Sequence, residues 1–547
     1  MSRGGGAMSL NQAAGIGGML KDGTTLAEGV DEAILRNIAA TRQLMTIVRT
    51  SIGPTGLKKL IINHLGKTLV SSDCATIVRE LEVVHPAAKM IALAAEAQDT
   101  EVGDGTNLVV SFAGELLKLA EELLRTGLHT SEIVAGYELA YKKCVEILPT
   151  LQCGEVSDVR DPLELAKVLA PVLAAKHGGI EETLAPLVAR ACIDIMPAAP
   201  EIPTLKADQI RMAKIRGGDI RNSTVMKGMV CGRDTETSIK TLKDAKVAVF
   251  NCGLEMAQTE TKGTVLIRTA EELLNYNKSE ERALEEIIKA IHACGAKLVI
   301  VGGSISEMAL HFLEKYQLMA LKIVSKWELR RLCGATGATA LVRLGPATPE
   351  ELGFISSASV REVGGKMITV LEQAPGHSSK IATIVLRAST DSLLNDVERA
   401  IDDAVHAVRA VCKHPGLVHG AGACELELAR QIMAYGNGRA GLEQYAIKKF
   451  AEAFEIIPRT LSENSGLDAT LMLAKLRAAH AAGDVSAGVN VYAQSVDEAA
   501  DPAAAPVYDI LHVKESALRL AVDAAITVLR VDQIIMSKPA GGPKPPK

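Results

Sequence analysis

Apolar residues recur at helical spacing over residues 27–50, where Ile34, Ile38 and Leu44 stand among polar positions. That pattern predicts a helix with one buried stripe. The same spacing predicts helices over 83–98 and 107–125. In the second, Val109, Phe112, Leu116, Leu119, Ala120 and Leu123 share a face. Between them, short apolar runs at Lys59–Ile62 and Thr68–Val70 flank an Asn-His-Leu-Gly-Lys break and read as a β-hairpin. The middle of the chain changes period. Ala245–Asn251, Lys297–Gly302 and Leu321–Val324 read as apolar strands, alternating with helical stretches at 269–294, 305–315 and 326–334. That order predicts helices covering a largely parallel sheet. Further strands are expected near 367–371 and 381–387. Helical patterning then returns over 391–436 and 442–481, with a last helix over 510–535. A helical domain interrupted by a long α/β insertion fits this order, and no internal repeat is visible.

Composition narrows the picture. A chain of 547 residues exceeds what one core supports, so two to four domains are expected. Aromatic residues make up only 3 %, with the single tryptophan Trp327, so the core must rest mainly on Ala, Val, Leu and Ile. A net charge of -5 offers no global attraction to nucleic acid or to acidic membranes. Ten cysteines without a C-x-x-C pair fit reduced thiols. No apolar run reaches the roughly 18 residues of a membrane span. The opening MSRGGGAMSLNQAAGIGG reads as a flexible arm and the closing KPAGGPKPPK as a disordered tail, as in a soluble intracellular protein.

Three segments carry candidate chemistry. Gly53-Pro54-Thr55-Gly56-Leu57-Lys58-Lys59 combines permissive glycines with lysines, which suits an anion, although it is no Walker A loop and an ordinary turn is the alternative. Gly103-Asp104-Gly105-Thr106-Asn107 precedes a long helix. Thr106 and Asn107 are candidate caps there, the helix start favours phosphate, and one carboxylate suits Mg²⁺. A capped helix with a solvated Asp reads equally well. Ser71-Ser72-Asp73-Cys74-Ala75-Thr76 places a carboxylate between strand and helix, where a plain N-cap is the simpler reading. Their order within some fifty residues, rather than any one of them, suggests a phosphate-handling unit.

In the same order, these segments resemble the nucleotide motifs of group II chaperonins, the TRiC/CCT family of eukaryotic cytosolic rings. Gly53–Lys59 is similar to that family's G-P-x-G-x-x-K loop, Asp73–Thr76 to its Asp-Gly-Ala-Thr turn, and Gly103–Asn107 to its Gly-Asp-Gly-Thr element. The likeness continues at Glu398–Ala404, where the family carries a catalytic Asp before Ala, and at Gly420-Ala421-Gly422-Ala423, against a Gly-Gly-Gly-Ala loop. It extends over residues 20 to 540. Ile61–Leu65, Leu81–Met90, Tyr445–Phe454, Val528–Lys538 and the following PAGGPKPP resemble one particular subunit type of that family.

The resemblance implies an α+β multidomain chaperonin fold. A flexible arm (1–19) would precede a helical equatorial domain (20–152 and 407–537), a small intermediate domain (153–218 and 375–406), an inserted α/β apical domain with a helical protrusion (219–374) and a tail (538–547). It implies an ATP-dependent chaperone subunit of a cytoplasmic, hetero-oligomeric double ring that folds proteins such as actin and tubulin. ATP/ADP and Mg²⁺ would be its cofactors. Other ring subunits and unfolded clients would be its partners, with no nucleic acid and no membrane. Carried over residue by residue, Asp104 would hold Mg²⁺. Gly53, Pro54, Gly105, Thr106 and Asn107 would line the phosphates. Asp403 would orient or deprotonate the attacking water, and Asp73 would assist near the γ-phosphate. Lys176 would sense that phosphate, with a solvated loop lysine as the alternative. Asp509 would meet the ribose and Gly422 would line the nucleoside pocket. Clients would meet Lys326 and Arg330 on a helix over Ser325–Gly334, capped by Ser325 and stopped by Gly334, whose exposed face reads as cationic and not greasy. Two departures from the family pattern stand out. Cys74 replaces a Gly, which strains any positive φ there, and Ala421 interrupts the triple glycine. A ring member that binds ATP poorly and a monomeric kinase are the competing readings. The retained Asp73, Asp104 and Asp403 speak against the first, and the unexplained apical insertion against the second.

Overall fold

The computed structural model describes residues 25–27, 30–63, 66, 68–197, 201–255, 269–374, 380–493 and 507–536. The expected N-terminal arm and C-terminal tail lie outside them, as does much of the expected protrusion. The chain forms two compact units, Met1–Cys153 with Leu417–Lys547, and Gly154–Gly416.

The first unit is helical, and its centre is the helix Thr106–Arg125. The face expected from the sequence is buried, and so are Val110, Ala113 and Leu117 on the other sides. The helix runs through the core and not along its surface. Gly114 makes this possible: a Cβ there would sit 2.7 Å from Met45 Cβ on the helix Val30–Arg49. Phe112, Tyr137, Phe450 and Phe454 meet here. Phe112 lies 5.6 Å from Phe450 and 4.6 Å from Phe454, and Tyr137 packs on Phe450 while its hydroxyl donates to Leu116 O. Each such ring, fully buried, contributes on the order of 3 kcal/mol. The expected hairpin forms, with Lys59–Ile62 antiparallel to Thr68–Ser71. The last helix is shorter than its pattern suggests. It ends at Leu529, and Ile534–Met536 then pairs antiparallel with Thr25–Ala27.

Among the described residues, the second unit holds a nine-stranded sheet. Its strand order is Ile210–Arg216, Ala382–Ala388, Thr224–Cys231, Lys366–Glu372, Gly353–Val363, Thr241–Phe250, Ala296–Val301 and Met319–Lys322. Ala340–Leu341 pairs alongside Thr241–Phe250. The sheet is mixed, contrary to the largely parallel expectation. Thr241–Phe250, Ala296–Val301 and Met319–Lys322 run parallel, whereas Gly353–Val363 and Lys366–Glu372 form an antiparallel hairpin across Gly364 and Gly365, both at positive φ. That hairpin escaped the sequence pattern because Gly353–Val363 alternates apolar residues with Ser and Arg and never forms an apolar run. Along Thr241–Phe250, Ala245, Val247 and Val249 enter one core with Leu329 and Leu332, while Ala248 and Phe250 enter another with Leu284, Ile288 and Leu313. Period-two alternation thus serves two helical layers. The helices Pro162–Lys176, Glu181–Ile193 and Asp391–Lys413 complete this unit.

Candidate nucleotide site

Four turns of the first unit carry the candidate residues. Gly53, at φ +84°, opens a turn closed by Gly56 N donating to Gly53 O at 3.0 Å, with Pro54 and Thr55 between them. A Cβ on Gly53 would meet Leu461 Cδ2 at 2.7 Å, so any other residue at this left-handed position would have to push that side chain of the helix Ile456–Asn464 aside. Asn464 Nδ2 donates to Ile52 O at 2.9 Å and ties the turn to the same helix. Lys59 Nζ is engaged locally, donating to Thr50 Oγ1.

Gly105, at φ +79°, is the N-cap of the Thr106–Arg125 helix and provides no side-chain cap. Thr106 and Asn107 are therefore the first helical residues rather than the caps expected from the sequence, and the helix start keeps its N–H groups for another acceptor. Gln98 fixes this turn. Its Nε2 donates to Asp104 O at 2.7 Å, and its Oε1 accepts from Ser516 Oγ at 2.9 Å. Asp104 Oδ1 accepts from Gly105 N at 2.7 Å. Asn107 Nδ2 points to Ser51 O at 3.5 Å, joining this turn to the first, and Asn107 Oδ1 is buried without a partner.

Asp73 is an N-cap, as its simpler reading has it. Its carboxylate accepts from Thr76 N at 3.0 Å and from Thr76 Oγ1 at 2.7 Å. Cys74 is the first residue of that helix and is not among the positive-φ residues, so the strain anticipated there does not arise.

The strain sits in the fourth turn instead. Ala421 has φ +55° and Gly422 φ +84°, immediately before the helix Ala423–Asn437, which again lacks a side-chain cap. A Cβ on Gly422 would stand 3.0 Å from Pro458 Cβ. Gly53 and Gly422 therefore press on one helix at Leu461 and Pro458, one turn apart. Val489 N donates to Ala421 O at 2.9 Å. Strand pairing places Asp509 opposite Val418, and a Cβ on Gly420 would lie 3.1 Å from Asp509 Cγ.

In the second unit, Lys176 and Asp403 are brought together. Lys176 ends the helix Pro162–Lys176, Asp403 lies in Asp391–Lys413, and Nζ to Oδ2 is 2.8 Å. Their side chains are only 9 % and 8 % exposed, so Lys176 is not a solvated loop lysine.

A model of the TCP-1/cpn60 chaperonin family matches residues 44–539. The chain belongs to the TCP-1/cpn60 chaperonin family. It is 49 % identical over 540 residues to T-complex protein 1 subunit theta of Homo sapiens, covering 99 % of this chain and 98 % of that one. It is likewise 49 % identical over 535 residues to the theta subunit of Arabidopsis thaliana (97 % and 96 %) and 46 % identical over 536 residues to that of Dictyostelium discoideum (97 % and 98 %). The likeness to one subunit type read from the flanking segments is thus a likeness to theta.

On this chaperonin chain the client-helix candidate differs from its sequence reading in two ways. The helix runs Lys326–Thr336, past Gly334, and stops at Gly337, whose φ of +74° supplies the left-handed cap. Lys326 and Arg330 are exposed, and Leu329 and Leu332 pack inward as expected. Trp327 is 65 % exposed, however, and Val324 is exposed beside it, so the outer face is not purely cationic. Among the described residues no helix is long and apolar enough to cross a membrane. Sequence reasoning missed Lys514 and Glu425, which form a buried ion pair next to Asp509. Glu425 follows the Gly420–Ala423 motif by two residues, which was the available signal. Lys514 carried none, because it stands beside Glu515 in a helix that also bears Arg519 and Asp523, where one more lysine reads as a solvated side chain.

Proposed function

We propose that this chain is an ATP-hydrolysing subunit of a hetero-oligomeric, double-ring chaperonin of the cytosol, folding unfolded client proteins together with other subunits. Family membership supports the chaperonin reading. The observation that carries nucleotide binding is the pair of helices started by left-handed glycines, Gly105 and Gly422, with no side-chain cap on either. Helix starts of this kind favour phosphate, and the buried, unpartnered Asn107 Oδ1 at one of them is an oxygen suited to a cation or to a water bound to it. The residues present therefore fit Mg²⁺–ATP. Asp104 would hold Mg²⁺, whose charge on the phosphate oxygens eases phosphoryl transfer. Backbone N–H groups of Gly53, Gly105, Thr106 and Asn107 would receive the phosphates, with the Pro54 ring lining them, and Gly422 and Asp509 would receive the nucleoside. Asp73 would assist near the γ-phosphate while capping its helix. Asp403 would accept the proton of the attacking water, and Lys176 would exchange its ion pair for phosphate. Equatorial (20–152, 407–537), intermediate (153–218, 375–406) and apical (219–374) domains follow from the same resemblance.

Subunit-resolved photo-crosslinking with 8-azido-ATP, alongside turnover of the purified particle, tests this. Asp403→Ala should keep crosslinking and slow the turnover attributable to this subunit. Asp104→Ala should weaken crosslinking itself. Near-wild-type behaviour of both variants would defeat the assignment. A second reading, a ring member that binds ATP weakly, is favoured only by the strained Ala421.

A further inference from the structure

Lys514 lies buried in the helix Leu511–Leu529 between two carboxylates. Its Nζ is 2.6 Å from Glu425 Oε1 and 2.9 Å from Asp509 Oδ2. Glu425 is buried as well, and its Oε2 has no hydrogen-bond partner. Asp509 is the outward member, with 38 % of its side chain exposed. Burial works against the ammonium charge, but Asp509 and Glu425 outweigh it and hold Lys514 above the ordinary lysine range. Lys514 and Glu425 cancel one another, so packing alone has no use for a second carboxylate, and a neutral core of equal volume would serve stability as well. The surplus negative charge therefore sits on Asp509, at the accessible end of the cluster. Asp509 is also fixed from both sides. Lys514 engages Oδ2, and Gly420 lets the backbone approach so closely that a Cβ there would lie 3.1 Å from Asp509 Oδ1.

We infer that Lys514 is a positioning residue for the nucleoside: by holding Oδ2 it sets the Asp509 carboxylate in one orientation, with Oδ1 presented to the vicinal hydroxyls of a ribose. This rests on the reading of Asp509 as the ribose contact. Glu425 has a different part: its charge compensates that of the Lys514 ammonium inside the core, while Asp509 alone suffices to keep the ammonium charged and oriented.

The test compares the affinity of the full chain, within its assembled particle, for ATP and for 2′,3′-dideoxy-ATP by competition against 8-azido-ATP labelling of this subunit. A hydrogen bond from a ribose hydroxyl to a carboxylate corresponds to a preference of roughly tenfold to a hundredfold for ATP. Glu425→Gln leaves Asp509 as the carboxylate on Lys514 and should keep that preference. The double variant Glu425→Gln, Lys514→Met removes both charges of the buried pair, so its core stays neutral. It should lose most of the preference while its affinity for the dideoxy analogue changes less than about threefold. Both variants abolish the Lys514–Glu425 ion pair, so a merely structural role would move them together. A double variant that keeps the wild-type preference, while Asp509→Ala loses it, overturns the role of Lys514. A wild-type chain that does not distinguish the two nucleotides overturns the ribose reading itself.

Discussion

Lys176 and Asp403 offer the sharpest test of the energetics. At 2.8 Å, two unit charges attract by roughly 6 kcal/mol at an effective dielectric constant of about 20. Most of that is offset by the loss of water around both groups. Removing one partner leaves the other charge buried without compensation, at a cost of about 3–5 kcal/mol. Removing both leaves a neutral contact near wild-type stability. We therefore expect Lys176→Met and Asp403→Asn each to destabilise the second unit strongly, and the double variant to recover most of the loss, with a coupling energy of about 3 kcal/mol or more. Urea unfolding monitored at Trp327 reads the right part of the chain, because the single tryptophan belongs to the same unit as the pair. Single variants within about 1 kcal/mol of wild type, or a coupling energy below that, would refute the reasoning.

Other outcomes follow from the same geometry. Ala421→Gly should relieve the left-handed strain and stabilise the first unit by up to about 1 kcal/mol, raising nucleotide affinity, whereas Gly422→Ala should cost about 1–2 kcal/mol and weaken labelling by 8-azido-ATP; equal melting temperatures for both would contradict this. Burial tends to raise the Glu427 carboxyl, but hydrogen bonds from Arg430, Gln431 and His480 outweigh it and hold it below the usual glutamate range. Its contribution to stability is therefore complete above about pH 4.3 and is lost as pH falls through the lowered value, so Glu427→Gln should flatten the acid limb of the stability curve. Charge reversal by Lys326→Glu with Arg330→Glu should reduce client crosslinking while ring assembly and turnover hold. If crosslinking is unchanged by that change but falls with Trp327→Ser, the apolar part of the face carries the contact.

What was legible in the sequence was local. Asp73 and the Gly103–Asn107 turn announce helix starts, although the cap falls on Gly105 and not on Thr106 or Asn107, whereas the strand Gly416–His419 and the new helix start at Gly422 were hidden inside patterning that reads as helical from 391 to 436. Helix lengths around Val109–Leu123 follow from spacing alone. What was hidden depends on partners distant in sequence. Nothing near Lys176 points to Asp403, and nothing near Lys514 points to Glu425. The stop at Gly337 instead of Gly334 is set by packing: Gly334 lies against Ile381 inside the helix, and Ala335 is buried beyond it. Ala421 occupies a left-handed position that its residue type disfavours, held by the close approach of Gly488 and Pro458 around the turn.

The core of the first unit has a consequence for synthesis. Phe112 is made early, yet the rings that cover it, Phe450 and Phe454, belong to a segment following the whole second unit. On the order of 300 residues must be translated between the two, which at 5–20 residues per second takes roughly 15–60 s. During that interval the second unit can complete its sheet from a contiguous stretch of chain, while the apolar faces of the Val30–Arg49 and Thr106–Arg125 helices remain uncovered. A chain built to shelter others is thus itself a nascent client, and arrest of the ribosome anywhere between Gly154 and Gly416 should leave a species that is captured by holdase chaperones through its N-terminal helices.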